Sequence, residues 1–168
     1  KSGFGSGDQA PSTISLMNSN DNGTTWSNFR VAAAMIPGCV NVYSPTLYRC
    51  ADGSISLFFK RYTHLVWCEE QRNSYYRIDS YDEGETWSEE TLIWENEQHL
   101  AINHAAKRIA SGVTLLPIER TEAWGGPKDR SIVSVLRSED DLHTWTESNR
   151  ISVPMRGLSE PCIAQHAD

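Results

Sequence analysis

The apolar residues of this chain occur in short runs separated by compact polar turns, and no stretch has the pattern of a long helix. The segment 44–60 consists of an apolar run, an Asp-Gly turn and a second apolar run. The segment 103–119 repeats this arrangement around Ser-Gly, and a third copy begins at Glu160. Asp-Gly and Ser-Gly between apolar runs are typical of tight β-hairpins. The pattern therefore predicts an all-β protein built from repeated hairpins.

A second pattern, Ser-x-Asp-x-x-x-Thr-Trp, occurs three times, at residues 19–26, 80–87 and 138–145. Its Asp carboxylates are expected to accept backbone N–H groups one to three residues further on, as in an Asx-turn. Gly23 and Gly84 can take positive φ at little cost. Leu142 replaces Gly in the third copy, so we expect a turn of different shape there.

Hairpin, loop, strand, turn and strand together form a unit that recurs at nearly even spacing, a period typical of propellers, solenoids or arrays. Four antiparallel strands per unit favour a propeller blade. We therefore predict a β-propeller with blade portions 1–40, 41–98, 99–156 and 157–168. Because propellers have about four to eight blades, the sequence is expected to cover about half of one.

Composition narrows the possible functions. The chain has 15 basic and 22 acidic residues and a formal net charge of −7, with the acidic residues dispersed. This argues against nucleic acid as a partner, which would require a basic face, and no run approaches the ~20 apolar residues of a membrane-spanning helix. Six Trp, six Tyr and four Phe fit either a packed β interior or a sugar-binding cleft. We expect no metal or other cofactor, because the four cysteines lack the spacing of metal ligands: Cys39, Cys50, Cys68 and Cys162.

The alignment of the hairpins brings polar positions into register. Ser44, Asn103 and Glu160 fall together at the start of the innermost strand of each unit, and Lys60 and Glu119 at the far end of the second strand. Inner strands of a propeller line its central channel, so these five side chains are expected to converge on one pocket rim. Repeats that share a scaffold but differ at rim positions favour a site assembled from several blades.

The motif Ser/Thr-x-Asp-x-Gly-x-Thr-Trp resembles the Asp box of the sialidase (BNR-repeat) superfamily, with two full matches and one variant. The resemblance extends over essentially all of the chain and is greatest to bacterial exo-sialidases of the BNR type. There the box is the turn between the third and fourth strands of a blade and faces away from the active site. The resemblance implies a six-bladed sialidase-like propeller, secreted or periplasmic, although propellers that are not sialidases also carry the box.

Sialidases of this superfamily use an Asp acid/base, a Tyr nucleophile paired with a Glu, and three Arg that clamp the substrate carboxylate. The resemblance places the acid/base at Asp8, in a loop before the first strand, and the Tyr-activating Glu at Glu160, in Ser-Glu-Pro at the start of an inner strand. The nucleophilic Tyr and the Arg clamp have no assigned match in this sequence. The remaining rim residues are the expected substrate contacts: Lys60, Asn103, Glu119 and Ser44.

The chemistry explains why such a site would use a phenol. Sialic acid carries a carboxylate on its anomeric carbon, which would repel a carboxylate nucleophile. A neutral phenol avoids this repulsion, but its pKa of about 10 means that it needs a base. Asp8 would protonate the leaving glycosidic oxygen. The alternative roles are structural, with Asp8 as a turn former in a Gly/Ser-rich loop and Glu160 as a strand-end carboxylate that caps backbone amides.

The sequence thus predicts an exo-glycoside hydrolase of sialidase type that cleaves a terminal sialic acid or related acidic sugar from a glycan or glycoconjugate. These 168 residues are not expected to perform the reaction alone. Two alternatives stay open: a propeller that binds carbohydrate without catalysis, and a propeller that serves as a protein-interaction platform.

Overall fold

The computed structural model describes residues 11–62, 73–96, 100–101, 104–123, 130–153 and 160–166. Within these ranges the chain forms eleven β-strands and no helix. Accordingly, this part of the chain contains no helix that is long and apolar enough to cross a membrane. The strands lie in three antiparallel sheets. The all-β fold predicted from the short apolar runs is confirmed.

The first two sheets follow the chain order. The first pairs β1 (Ile14–Asn18) with β2 (Ser27–Ala33). In the second sheet each strand is hydrogen-bonded to the next one along the chain, from β3 (Asn41–Arg49) through β4 (Ile55–Tyr62) and β5 (Asn73–Ser80) to β6 (Thr91–Asn96). This second sheet is the four-stranded unit that the sequence repeat predicts.

The third sheet repeats this plan. Its strands are β7 (Leu100–Ala101), β8 (Lys107–Arg108), β9 (Thr114–Ala123), β10 (Arg130–Ser138) and β11 (Thr146–Glu147). Both β7 and β8 pair with β9, so together they take the place that β3 has in the second sheet. Strand β9 begins at Thr114 and β4 at Ile55, which is the same offset that relates Asn103 to Ser44 in the hairpin repeat.

The two described cores lie on opposite faces of the second sheet. Strand β4 is buried along almost its whole length, and its successive side chains point to opposite faces. Phe58 therefore packs on one side, in a cluster with a residue of its own sheet and residues of the third sheet and its turns: Tyr75, Ala106, Leu116, Ile118, Leu136 and Leu142. Phe59 packs on the other side, with residues of the first and second sheets: Ile14, Ala33, Val42, Leu57 and Ile78. The three sheets thus pack face to face in chain order.

The three Ser-Asp-Thr turns (residues 19–26, 80–87 and 138–145) have the same hydrogen bonds. In the second turn, Oδ1 of Asp82 accepts from the backbone N–H of Thr86 at 2.9 Å and Oδ2 from its hydroxyl at 2.6 Å. Ser80 Oγ accepts the N–H of Gly84 at 2.7 Å. The carboxylate also has a backbone hydrogen bond from Glu85, within the expected reach of one to three residues, but its stronger backbone bond comes from Thr86, one residue beyond that reach. The reason is that Glu83 and Gly84 both have positive φ, 58° and 82°, which folds the chain back toward Asp82.

The third turn has the same shape as the other two, so the expected difference at Leu142 is wrong. Leu142 adopts φ 72°, its N–H donates to Ser138 Oγ at 2.9 Å, and Thr144 N donates to Asp140 Oδ1 at 2.9 Å. A left-handed conformation costs a non-glycine residue about 1–2 kcal/mol. Leu142 is 4% exposed and packs in the core, and burial of a leucine side chain stabilises by about 1.5–3 kcal/mol. Packing therefore offsets the backbone strain.

Candidate functional site

The first strand of the second sheet, β3, is distorted at the predicted site residue Ser44. The pairing of β3 with β4 shifts register between Tyr43 and Thr46, so that Ser44 and Pro45 form a β-bulge. Proline has no N–H to donate and is tolerated at such a position. Ser44 itself has φ 53°, which is uncommon for a residue other than glycine. Bulges re-aim side chains and are frequent next to active sites.

Glu160 has nearly the same backbone conformation as Ser44, with φ 52°. Each of the two residues precedes a proline, Pro45 or Pro161. A residue before proline normally has an extended backbone, so positive φ stores strain of about 1–3 kcal/mol at each position. The sequence alignment that equates Ser44 with Glu160 thus agrees with their local geometry. Glu160 is exposed at the surface of the described chain.

Glu119 lies in β9, between Ala101 of β7 and Val133 of β10. It is 7% exposed. Its Oε2 accepts a hydrogen bond from the backbone N–H of Glu160 at 2.9 Å, across 41 residues of sequence. The structure therefore brings together two of the predicted site residues, through the side chain of one and the main chain of the other.

Lys60 occupies the position in β4 that corresponds to Glu119 in β9. Its side chain is fully buried. The ammonium nitrogen Nζ lies 4.4 Å from the ring centroid of Tyr43 and 4.7 Å from that of Tyr62. Such a cation over aromatic faces is electrostatically favourable. Lys60 is thus fully buried beside two tyrosine rings and is not accessible to a substrate in this structure.

The other two predicted site residues, Asp8 and Asn103, lie outside the described residues. The same is true of Cys68. Among the residues that the structure does describe, no group of three or more His, Cys, Asp or Glu side chains is arranged to hold a metal ion. The candidate site is therefore the end of the sheets that carries Ser44, Lys60, Glu119 and Glu160.

Two ion pairs formed by buried arginines next to this end were not predicted. Arg61 donates from Nε to Glu90 Oε2 at 3.0 Å, and from Nη1 to the carbonyl oxygen of Ala34 at 2.8 Å. Arg120 has its Nη2 2.7 Å from Glu147 Oε1. The two arginines stand at equivalent positions of β4 and β9, each directly after a predicted rim residue. An alignment of basic residues in the hairpin repeat would therefore have found them.

These two arginines differ in their electrostatics. Burial disfavours the charged form of both, but the hydrogen bonds and the charge of Glu90, together with Cys39, outweigh it and raise the pKa of Arg61. For Arg120 burial is the larger effect, and its pKa is lowered in spite of Glu147. Burial also opposes ionisation of Glu147, yet hydrogen bonds from Ser134 and Arg150 and the charge of Arg120 lower its pKa. Both ion pairs tie strands together behind the candidate site.

A cleft of about 460 Å³ lies at the opposite end of the sheets, between the second sheet and the third. None of the predicted site residues lines it; its walls include Tyr48, Asp52, Arg77, Tyr81, Arg108 and His143. Ser56, which also lines it, is four residues from Lys60 along β4, or about 13 Å. Its arginines are already paired, because Arg77 Nε lies 3.1 Å from Asp79 and Arg108 Nη1 lies 2.6 Å from Asp141.

Comparison with known proteins identifies the fold. No family model matches the chain, and no curated protein matches it. Among solved structures it is similar to the Hadza microbial sialidase Hz136, with TM-score 0.65 and 18% identity over 82% of this chain and 31% of that one. It is also similar to a protein of unknown function from Dyadobacter fermentans DSM 18053, with TM-score 0.72 and 18% identity over 89% of this chain and 47% of the other.

These similarities, together with the stacked antiparallel sheets, show a sialidase-like β-propeller fold. The chain spans about a third of the length of one matched structure and about half of the other. At 18% identity the similarity concerns the fold.

Proposed function

We propose that this protein is an exo-glycoside hydrolase of sialidase type, which removes a terminal sialic acid or a related acidic sugar from glycoconjugates. The observation that carries the proposal is the placement of Glu160: a carboxylate residue with strained backbone, φ 52°, bound through its N–H to buried Glu119. Strained residues that the surroundings hold in place are concentrated at active sites. The sialidase-like fold supports the same conclusion.

In the proposed mechanism Glu160 acts as the base that activates a tyrosine nucleophile, and Asp8 acts as the acid that protonates the leaving oxygen. The phenol attacks the anomeric carbon while Glu160 removes its proton, which gives a covalent glycosyl-enzyme intermediate. Water then attacks the anomeric carbon and breaks its bond to the phenol oxygen, Asp8 accepts the proton of the water, and Glu160 returns its proton to the phenol, so that the sugar leaves with retained configuration. We assign the nucleophile and the Arg clamp to no residue of this chain.

The proposed direct contacts with substrate are Ser44 and Asn103, whereas Lys60 and Glu119 are proposed to act without touching the sugar. The hydroxyl of Ser44 and the amide of Asn103 suit sugar hydroxyl groups. Lys60 contributes positive charge from beneath Tyr43 and Tyr62 rather than by direct contact, since it is fully buried. A positive charge at the base of the site would favour an acidic sugar over a neutral one.

We further propose that the sheets are propeller blades, with the divisions 1–40, 41–98, 99–156 and 157–168, and that the three Ser-Asp-Thr turns are Asp boxes. The turns support this because their hydrogen bonds are the same in all three copies. Residues of the second and third turns line the 460 Å³ cleft, away from Glu119 and Glu160.

A carbohydrate-binding propeller without catalysis is the second candidate. The burial of Lys60 favours it, because a cation enclosed by two tyrosine rings is poorly placed to clamp a substrate carboxylate directly. A binder would retain affinity for sialosides while releasing no free sugar.

The test is the variant Glu160→Gln, assayed on a fluorogenic sialoside. Gln keeps the size of the side chain but cannot act as a base, so kcat should fall by at least about 100-fold while the melting temperature changes little. Glu89→Gln is the matched control, because Glu89 is an exposed carboxylate in the second blade unit and should leave kcat unchanged. Activity of Glu160→Gln equal to that of wild type would remove Glu160 from the mechanism. Binding without turnover by wild type would favour the second candidate.

A further inference from the structure

We infer that Glu119 is a positioning residue, which acts on the reaction by holding Glu160 and not by contacting the sugar. The inference rests on the proposed function of Glu160. It narrows the role of Glu119, because one oxygen of its carboxylate is already bound to the main chain of the residue that would perform the chemistry.

Glu119 can act as an anchor because its backbone is paired with a strand on each side of β9. Its register partners are Ala101 in β7 and Val133 in β10. The residue is 7% exposed, so bulk water competes little for its carboxylate. A hydrogen bond from a backbone N–H to a carboxylate is about twice as strong as one between neutral groups. Glu119 therefore presents a rigid, charged acceptor to the segment that contains Glu160.

The backbone at Glu160 needs such an anchor to hold its conformation. Glu160 has φ 52° and precedes Pro161, a combination that the chain would not adopt by local preference. Pro161 has no N–H, so it cannot help to hold this point by a ladder hydrogen bond. Further along the segment, Gln165 Oε1 accepts the N–H of Ala110 at 3.1 Å, which fixes the other part of the segment to the third sheet. The bond to Glu119 thus sets where the Glu160 side chain leaves the backbone.

The consequence for catalysis is geometrical. A base must lie within hydrogen-bond distance of the proton that it removes, and a misplacement of about 1 Å can cost 100-fold in rate. Loss of the Glu119 anchor would let the backbone at Glu160 relax toward the extended conformation that a residue before proline prefers. The carboxylate would then be displaced while its chemistry stayed intact. The expected signature is a loss in kcat with little change in KM.

The kinetic test uses Glu119→Gln and Glu119→Ala in the full protein on a fluorogenic sialoside. The side-chain oxygen of Gln can still accept the N–H of Glu160, so kcat should stay within about threefold of wild type. Ala has no acceptor, and kcat should fall by about 10- to 100-fold while KM stays within about twofold. If KM instead rose clearly above wild type in both variants and by the same amount, the carboxylate would have to contact substrate. That result would overturn the inference.

A second readout separates this inference from the proposed function. Amide hydrogen exchange at Glu160 should be slow in wild type and in Glu119→Gln, and fast in Glu119→Ala, whatever reaction the protein performs. Equal exchange in all three proteins would overturn the inference even if Glu160→Gln is inactive. If Glu160→Gln is instead fully active, the proposed function fails, and slow exchange that depends on residue 119 still supports Glu119 as the anchor.

Discussion

Arg77 in β5 donates from Nη1 to the carbonyl oxygen of Leu142 at 2.5 Å, and so joins the second sheet to the third turn across 65 residues of sequence. The first and second sheets are joined in the same way, because Arg30 Nε in β2 donates to the carbonyl oxygen of Gly84 at 2.7 Å. In both cases the acceptor is the residue with the larger positive φ in its Ser-Asp-Thr turn. The left-handed conformation turns this carbonyl toward the preceding sheet, so the second and third turns also join neighbouring sheets.

The contact between Arg30 and Gly84 predicts that Gly84→Ala and Gly53→Ala lower the free energy of unfolding by different amounts. Both glycines have positive φ, 82° and 91°, so either alanine should cost about 1–2 kcal/mol of backbone strain. A Cβ at Gly84 would also lie 3.1 Å from Arg30 Nη2, whereas a Cβ at Gly53 would meet nothing within 4 Å. Gly84→Ala should therefore cost at least about 1 kcal/mol more in free energy of unfolding. Equal costs in urea unfolding would show that Arg30 does not constrain the turn.

The turn carboxylates predict a dependence of stability on pH. Hydrogen bonds from Thr86, and then from Ser80, lower the pKa of Asp82 from 3.8 to about 2. A carboxyl group whose pKa is lowered by folding stabilises the folded state above its ordinary pKa, and this stabilisation is lost as pH falls from 3.8 through about 2. Asp82→Asn should therefore lower the melting temperature at neutral pH.

The gap in melting temperature between wild type and Asp82→Asn should narrow as the pH is lowered through this range. Glu89→Gln is the control, since this exposed residue should leave the pH profile unchanged. A gap of constant size from pH 7 to about pH 2 would show that ionisation of Asp82 does not stabilise the turn.

The buried ion pair behind the site predicts a large effect of Glu147→Ala. Arg120 and Glu147 have side chains that are 8% and 15% exposed, with Nη2 and Oε1 2.7 Å apart. Removal of Glu147 would leave the Arg120 charge buried with less compensation, at a cost of about 3–5 kcal/mol.

Glu139→Ala is the matched control for this ion pair. Its partner Arg137 lies at a similar distance, 2.8 Å, but both side chains are largely exposed, 43% for Arg137 and 67% for Glu139. An exposed pair contributes about 0–1 kcal/mol. Chemical denaturation should show a clearly larger loss of unfolding free energy for Glu147→Ala than for Glu139→Ala. Equal destabilisation would mean that burial of the Arg120 pair has no energetic consequence.

The proposed acid role of Asp8 predicts an effect that depends on the leaving group. Asp8→Asn should reduce kcat/KM by about 100-fold or more on sialosides with alkyl or sugar leaving groups, which need protonation to depart. The loss should be much smaller with an activated aryl leaving group. Parallel assays of the two substrate types measure this difference directly. A uniform loss would argue for a binding or structural role of Asp8.

The sequence itself predicted the architecture well, because the repeat encodes local structure. Asp-Gly and Ser-Gly turns between apolar runs specify hairpins regardless of what surrounds them, and the hairpins were found at β3–β4 and before β9. The Ser-Asp-Thr turns likewise hold themselves together through contacts within the motif, so their three copies fold alike. The correspondence of Ser44 with Glu160 also follows from sequence, since both stand before a proline.

Tertiary structure decided the environment of the polar side chains at the candidate site. The residues next to Leu142 in the sequence do not show that it would adopt positive φ. The contacts that compensate for the strain come from strands of the second and third sheets. Lys60 and Glu119 occupy equivalent positions, yet one is enclosed by tyrosine rings and the other binds the main chain of Glu160. The contact of Glu119 with Glu160 joins residues that are 41 positions apart in the chain. A short repeat can therefore fix where a strand turns, while long-range packing determines which charges meet.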